Sequence, residues 1–276
     1  MRKRNRVFGH TLTIYLRLLG VQLRSQLQYR FSFLLDLLAT ALIVLVEFAS
    51  IALVFGRFGS IQGWSLGEVA FLYGMVEMGF GLMDLLFSGF DPPHFGQAVR
   101  RGTFDQLLLR PVNITTQVLG SALELRRLGR IAFGAAIFAY GLQHTAIVWT
   151  AAKVLYLPLV LAGMVFFFGG LFMIGATITF WTVDSIEVMN ILTYGGSYVI
   201  SYPMHIYQNW LRGFFTYLVP AIFLNYYPAL YFLGRPDPLG YPGFAPFLAP
   251  VVGAGMLLLG RAAWRWGIRH YQSTGS

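Results

Sequence analysis

Seven long apolar runs dominate the chain: Phe31–Phe55, Gly67–Ser88, Ile131–Val148, Val154–Trp181, Val188–Tyr202, Phe214–Leu233 and Phe244–Gly260. A helix needs roughly 17–25 apolar residues to cross a bilayer, and a water-soluble core would scatter its hydrophobic residues periodically instead. With 57% hydrophobic and 11% charged residues, against about a quarter charged in soluble domains, the chain cannot cover its own surface with polar groups. The expected class is an all-α polytopic membrane protein. Disorder, a disulfide scaffold and a secreted soluble enzyme are excluded, and the absence of cysteine removes thiolate chemistry altogether.

Charge placement sets the parity. Arg2, Lys3, Arg4, Arg6, Arg17, Arg24 and Arg30 precede the first run. Arg100, Arg101, Arg110, Arg126, Arg127 and Arg130 separate the second from the third, and Arg261, Arg265 and Arg269 follow the last. Six crossings put these sixteen of twenty basic residues on one side, whereas seven would send the basic tail to the wrong one. Six spans with both termini cytoplasmic is the expectation: 31–55, 67–88, 131–148, 154–181, 188–202 and 244–260. The net charge of +9 then implies contact with membrane lipid and no nucleic acid. Residues 1–30 form a retained N-terminal piece with no signal-peptide cleavage pattern. Tryptophans 64, 149 and 210 fall at the outer boundary, and 181, 264 and 266 at the inner one.

One of the seven runs must enter and leave on the same side. Pro220 and Pro228 each remove a backbone donor, and Asn225 lies between them. Residues 203–243 therefore suit a re-entrant outer segment shielded by protein. Making 188–202 the partial segment instead keeps the same parity.

On the cytoplasmic side, Leu12, Leu16, Leu19, Leu23 and Leu27 make one stripe of a helix over 11–28, with Thr13, Arg17, Gly20, Arg24 and Gln28 on another. Such a helix lies in the headgroup plane. Residues 89–130 form a basic connection longer than a linker requires. Within it, residues 96–111 read as a short helix ending at Gly102, a turn, and a second helix stopped before Pro111. The sequon at Asn113 falls on the cytoplasmic side and is discounted as a glycosylation site.

Ionisable groups at membrane depth are functional candidates. Gly74, Glu77, Gly81, Asp84 and Ser88 share one face of the second span. That face packs against protein or lines a hydrated path, and Glu47 of the first span can join it. No intramembrane Lys or Arg matches these carboxylates in sequence. Tyr194, Ser197, Tyr198 and Ser201 suit the lining of a path for an amphipathic molecule, and equally suit close helix packing. A proton- or ion-coupled carrier built on Glu47, Glu77 and Asp84 is the alternative function, although no inverted repeat supports it.

Catalytic signatures are missing: no phosphate loop, no H-E-x-x-H, no G-x-S-x-G, and five scattered histidines. The expectation is a non-enzymatic chain with no metal.

The motifs resemble an ABC type-2 permease of the small subfamily described as ABC-2 family transporter proteins. They are Arg101-Gly102-x-x-Asp105-x-x-Leu108-Leu109-Arg110-Pro111, Tyr202-Pro203-x-x-Ile206-Tyr207, Val219-Pro220-Ala221-x-Phe223, Asn225-Tyr226-Tyr227-Pro228-Ala229 with Leu233-Gly234, and the basic end Gly267-Ile268-Arg269-x-Tyr271-x-Ser273-x-Gly275. The resemblance implies a dimer with an identical or paralogous permease and two copies of a separate ATPase subunit that binds ATP and Mg. It also implies an outer re-entrant helix pair, a bacterial-type cytoplasmic (plasma) membrane, and coupling to the ATPase through Arg100, Arg101, Gly102, Asp105, Arg110 and Pro111. Members of the class mostly export lipids, glycans, peptides or drugs, so an amphipathic exported substrate is the corresponding expectation.

Overall fold

The computed structural model describes residues 2–182 and 187–273, with side chains from residue 13 onward. Among the described residues the secondary structure is helical, apart from one isolated bridge between Ile61 and Trp64. Helix α1 (Arg2–Gln28) bends at Tyr29 into α2 (Arg30–Phe58), and α3 (Leu66–Phe87) returns. Ser65 and Glu68 start α3 with a reciprocal capping box. Three short helices follow, α4 (Pro92–Arg100), α5 (Thr103–Leu108) and α6 (Ile114–Leu119). Next come α7 (Arg127–Gln143) and α8 (Ala151–Thr182). Among the described residues three helical stretches are long and apolar enough to cross a bilayer: Arg30–Phe58, Leu66–Arg100 and Ala151–Thr182.

The remaining runs depart from a simple rod. Residues 187–200 are one helix interrupted by a π-turn: α9 (Glu187–Asn190), the turn Ile191–Gly195, and α10 (Gly196–Ile200). Residues 203–243 hold only short elements. Helix α11 (Asn209–Gly213) runs into a π-turn, the chain breaks at Val219–Pro220, and a single 3-10 turn leads to α12 (Tyr226–Leu233). Pro228 lies in the first turn of α12, where a missing donor has no intrahelical acceptor to lose; the break belongs to Pro220 and Asn225. The last helix, α13 (Ala249–His270), starts five residues later than the apolar run, with Pro250 in its first turn, and carries Arg261, Arg265 and Arg269 within it.

Two glycine seams join the long helices in pairs. A Cβ on Gly253 of α13 would lie 2.2 Å from the Gly163 carbonyl oxygen of α8, and one on Gly260 would lie 2.5 Å from that of Gly170. These glycines recur every seven residues on each helix, the repeat that keeps one contact line facing a partner. Helices α3 and α7 meet the same way: a Cβ on Gly74 would strike the Phe138 backbone at 2.5 Å, and one on Gly141 the Phe71 backbone at 2.6 Å. The small face of α3 thus packs against α7. Of the three long apolar stretches, α2 is the least covered, burying mainly Ala41, Val44, Ile51 and Phe55.

Helix α1 is fastened to the connection before α7. Gln26 donates to the Leu123 carbonyl and accepts from the Leu125 amide, and Gln22 donates to the Ser121 carbonyl at 2.7 Å. At the other end of the bundle, Arg235 grips Glu68 at 2.9 Å and the Gly63 carbonyl at 2.9 Å, with its guanidinium 4.6 Å from the Trp64 ring. Of the six tryptophans placed at the membrane boundaries by sequence, two are covered by protein. Trp64 is 2% exposed and Trp264 fully buried, whereas Trp149, Trp181, Trp210 and Trp266 are exposed. Asn113 caps α6 by accepting from the Thr116 amide at 3.3 Å.

Candidate functional site

The polar groups within the bundle separate into three sets. The first is a pair of ionic contacts between α3 and α7. Arg130 holds Glu77 with both arms of its fork, Nε to Oε2 at 2.6 Å and Nη2 to Oε1 at 2.9 Å, and its guanidinium also lies 4.6 Å from the Phe80 ring. Nearer the basic end, Arg127 Nε is 2.9 Å from Asp84 Oδ2, an ionic contact without hydrogen-bond alignment. Glu77 and Asp84 are each 1% exposed. The expectation that no arginine matches these carboxylates is therefore wrong. Helix α7 begins four residues before its apolar run, and the long guanidinium arms reach inward from that first turn. Glu124 supports the same corner by accepting from Arg126 at 2.8 Å and contacting Arg127 at 3.0 Å. Burial alone would raise its carboxyl, but these arginines outweigh it and hold it below its ordinary value. Ser88 donates back to the Asp84 and Leu85 backbone carbonyls of its own helix.

The second set is centred on Glu47. Its two oxygens accept from Tyr73 of α3 at 2.8 Å and from Tyr198 of α10 at 3.1 Å, so one carboxylate joins α2, α3 and α10. Glu47 and Tyr198 border a cavity of about 490 Å³, otherwise walled largely by apolar side chains such as Ile51, Phe55 and Trp64. The other lining candidates do not reach this cavity. Ser197 and Ser201 are buried and donate to the carbonyls of Tyr194 and Ser197, while Tyr194 packs on Phe80 and Phe172. Asn225, fully buried, closes the seam behind them by donating to the Leu72 carbonyl at 3.2 Å and the Ile200 carbonyl at 2.7 Å.

The third set is the connection between α3 and α7. Gly102 has φ +66°, a left-handed conformation that glycine adopts without strain, and it turns the chain between α4 and α5. Phe104, fully buried, anchors α5 in a ring cluster with Phe95, Phe180, Trp264 and Tyr271, centroids 5.0–6.2 Å away. Trp264 in turn donates to Thr115 at 3.1 Å. Asp105 accepts from Tyr271 at 2.9 Å and Ser273 at 2.6 Å. Burial and this carboxylate push the Tyr271 phenol up to about 12. Asp105 thus has partners inside the chain, and its local role is to fix α5 to the end of α13. Beyond that anchor the chain projects: Leu108, Leu109, Arg110 and Pro111 are all exposed, Leu109 at 86%. Arg100 and Arg101 are exposed on the same connection. Gln117 closes the base of the projection by donating to the Leu107 and Val112 carbonyls, each at 3.0 Å. Gln117→Ala strips both bonds from a buried position and is expected to cost about 1–3 kcal/mol, measurable as a lower unfolding midpoint in detergent.

The family model for the ABC-2 family transporter protein matches residues 41–275. The chain belongs to that family. No curated protein and no solved structure matches it. As an ABC-2 permease it is a membrane transport component and not itself catalytic. Three features of this permease escaped the sequence reading. The arginines facing Glu77 and Asp84 lie outside the apolar runs, and Gln117 and Phe104 carry no motif of their own. The seven-residue recurrence of glycine in α8 and α13 was a legible signal for their packing.

Proposed function

We propose that this permease is the transmembrane subunit of an ABC exporter, working as a dimer with an identical or paralogous permease and driven by two copies of a separate ATPase. The single observation that carries this reading is the exposed Leu108–Pro111 projection on a base clamped to α8 and α13. Force on the projection passes through Phe104 to two long helices instead of dissipating in a loop. An apolar tip flanked by arginine suits a groove on a soluble partner.

In this reading α2, α3, α7, α8, residues 187–200 and α13 are the six spans, with residues 203–243 as the outer re-entrant part and both termini cytoplasmic. ATP-driven closure of the partner subunits pushes on residues 100–111 and tilts α2, α3 and α10, which meet at Glu47. The substrate is amphipathic, since the cavity beside Glu47 is mainly apolar with a polar edge. The pairing of Glu77 and Asp84 with arginine removes two of the three carboxylates that an ion-coupled carrier would need.

Pull-down of the solubilised chain tests the reading: a P-loop ATPase should accompany it. Leu109→Asp combined with Arg110→Glu should abolish both co-purification and nucleotide-dependent transport. Stability should change by no more than about 0.5 kcal/mol, because these side chains touch solvent. Retention of the ATPase by the double variant would remove the projection from its coupling role.

A further inference from the structure

The cavity beside Glu47 has an electrostatic asymmetry. Among the described residues Glu47 takes part in no ion pair, while Glu77 and Asp84 are each matched by arginine. Both Glu47 oxygens accept a phenol hydrogen, from Tyr73 and Tyr198. A neutral carboxyl must donate through one oxygen, whereas an ionised one accepts at both. In the ionised form both Glu47 oxygens accept, and charge-assisted bonds of this kind are the stronger ones. The hydroxyls supply hydrogen bonds but no positive charge. The rest of the wall, including Ile51, Val54, Phe55 and Ile61, is apolar. A carboxylate next to an apolar void is poorly solvated, so an occupant matching the whole surface has an apolar body and one positive charge. An acyl chain or a neutral glycan would leave that charge unmatched, and an anion would be repelled.

We infer that this cavity is a binding site for a lipophilic organic cation, with Glu47 as its counter-charge and Tyr198 as the movable part of its wall. Tyr198 is 44% exposed and stands on α10, just past the π-turn. A cation approaching Glu47 competes with its hydroxyl, and the ring face can take the charge in turn. Occupancy would thereby loosen the tie between α2 and α10 while the Tyr73 tie persists. The inference rests on the permease reading for its meaning as a substrate site, but binding itself needs no nucleotide.

Tetraphenylphosphonium and tetraphenylborate, near-identical in shape and opposite in charge, provide the test. Equilibrium binding of each is measured to the full-length protein in phosphatidylcholine nanodiscs, with empty discs as the blank. Saturable tetraphenylphosphonium binding is expected, at least about tenfold tighter than the borate and weakened about tenfold or more by Glu47→Gln. Glu47→Asp should keep most of the charge preference. Equal affinity for the two ions, no saturable phosphonium binding, or an unchanged affinity in Glu47→Gln would overturn the inference. The comparison on the unaltered protein stands even if Glu47→Gln fails to fold. Pull-down from the same preparation separates the two readings. ATPase recovery without phosphonium binding sinks only the cation site, and charge-selective binding without an ATPase sinks only the ATPase-driven reading.

Discussion

Arg130→Met will destabilise the bundle by about 3–5 kcal/mol, the usual consequence of leaving one member of a buried pair without its partner. Glu77 is 1% exposed, and both its oxygens are taken by the Arg130 fork. Methionine replaces the packing of the arginine stem but supplies no donor. Glu77→Gln combined with Arg130→Met should recover most of the loss, since the uncompensated charge and not the missing attraction is the main cost. Denaturant unfolding in detergent reads both values. If the single variant lies within about 0.5 kcal/mol of the parent, or the double is no better than the single, the pair does not behave as a buried ionic unit. Arg127→Met is expected to lose less, because the Asp84 contact lacks hydrogen-bond alignment.

The second large effect concerns one methyl group. Gly253→Ala places a carbon 2.2 Å from the Gly163 carbonyl oxygen and 2.7 Å from its Cα. Both are backbone atoms, so no side chain can swing aside, and the helices must separate along the whole α8–α13 seam. A loss above about 3 kcal/mol is expected, beyond the usual range for added core volume, with a sharp fall in monodisperse protein on size exclusion. Gly255→Ala is the internal control, since an added Cβ there meets nothing within 4 Å. Equal behaviour of the two variants would show that the seam is not in close contact.

The apolar runs and turn residues made much of the architecture readable. Gly102 turns the chain as its residue type suggests, and the α5 helix stops at Leu108, short of Pro111. The small polar face of α3 reads as packing against protein or lining a hydrated path, and in the fold it meets α7. What stayed hidden were contacts between distant segments. Arg127 and Arg130 read as orientation charges because they precede an apolar run, and only the antiparallel packing of α3 and α7 turns them toward Asp84 and Glu77. Trp264 has a boundary residue's sequence context, but α5 and α8 cover it completely. Asp105 sits in a motif that suggests an outside partner, and its bonds to Tyr271 and Ser273 depend on where the last helix ends. Of the polar residues proposed to line a path, only Glu47 and Tyr198 border the cavity, because spacing along one helix cannot say which neighbour each side meets.

The glycine seams have a mechanical corollary. Backbones that touch cannot slide without first parting, so α3 with α7, and α8 with α13, behave as two stiff planks. Any cycle of opening then has to be accommodated by the sparsely covered α2 and the interrupted 187–200 segment, whose shared fastening is a pair of phenol hydroxyls on one carboxylate. The compliant joint of the protein and the one of these three carboxylates without an arginine partner are the same place.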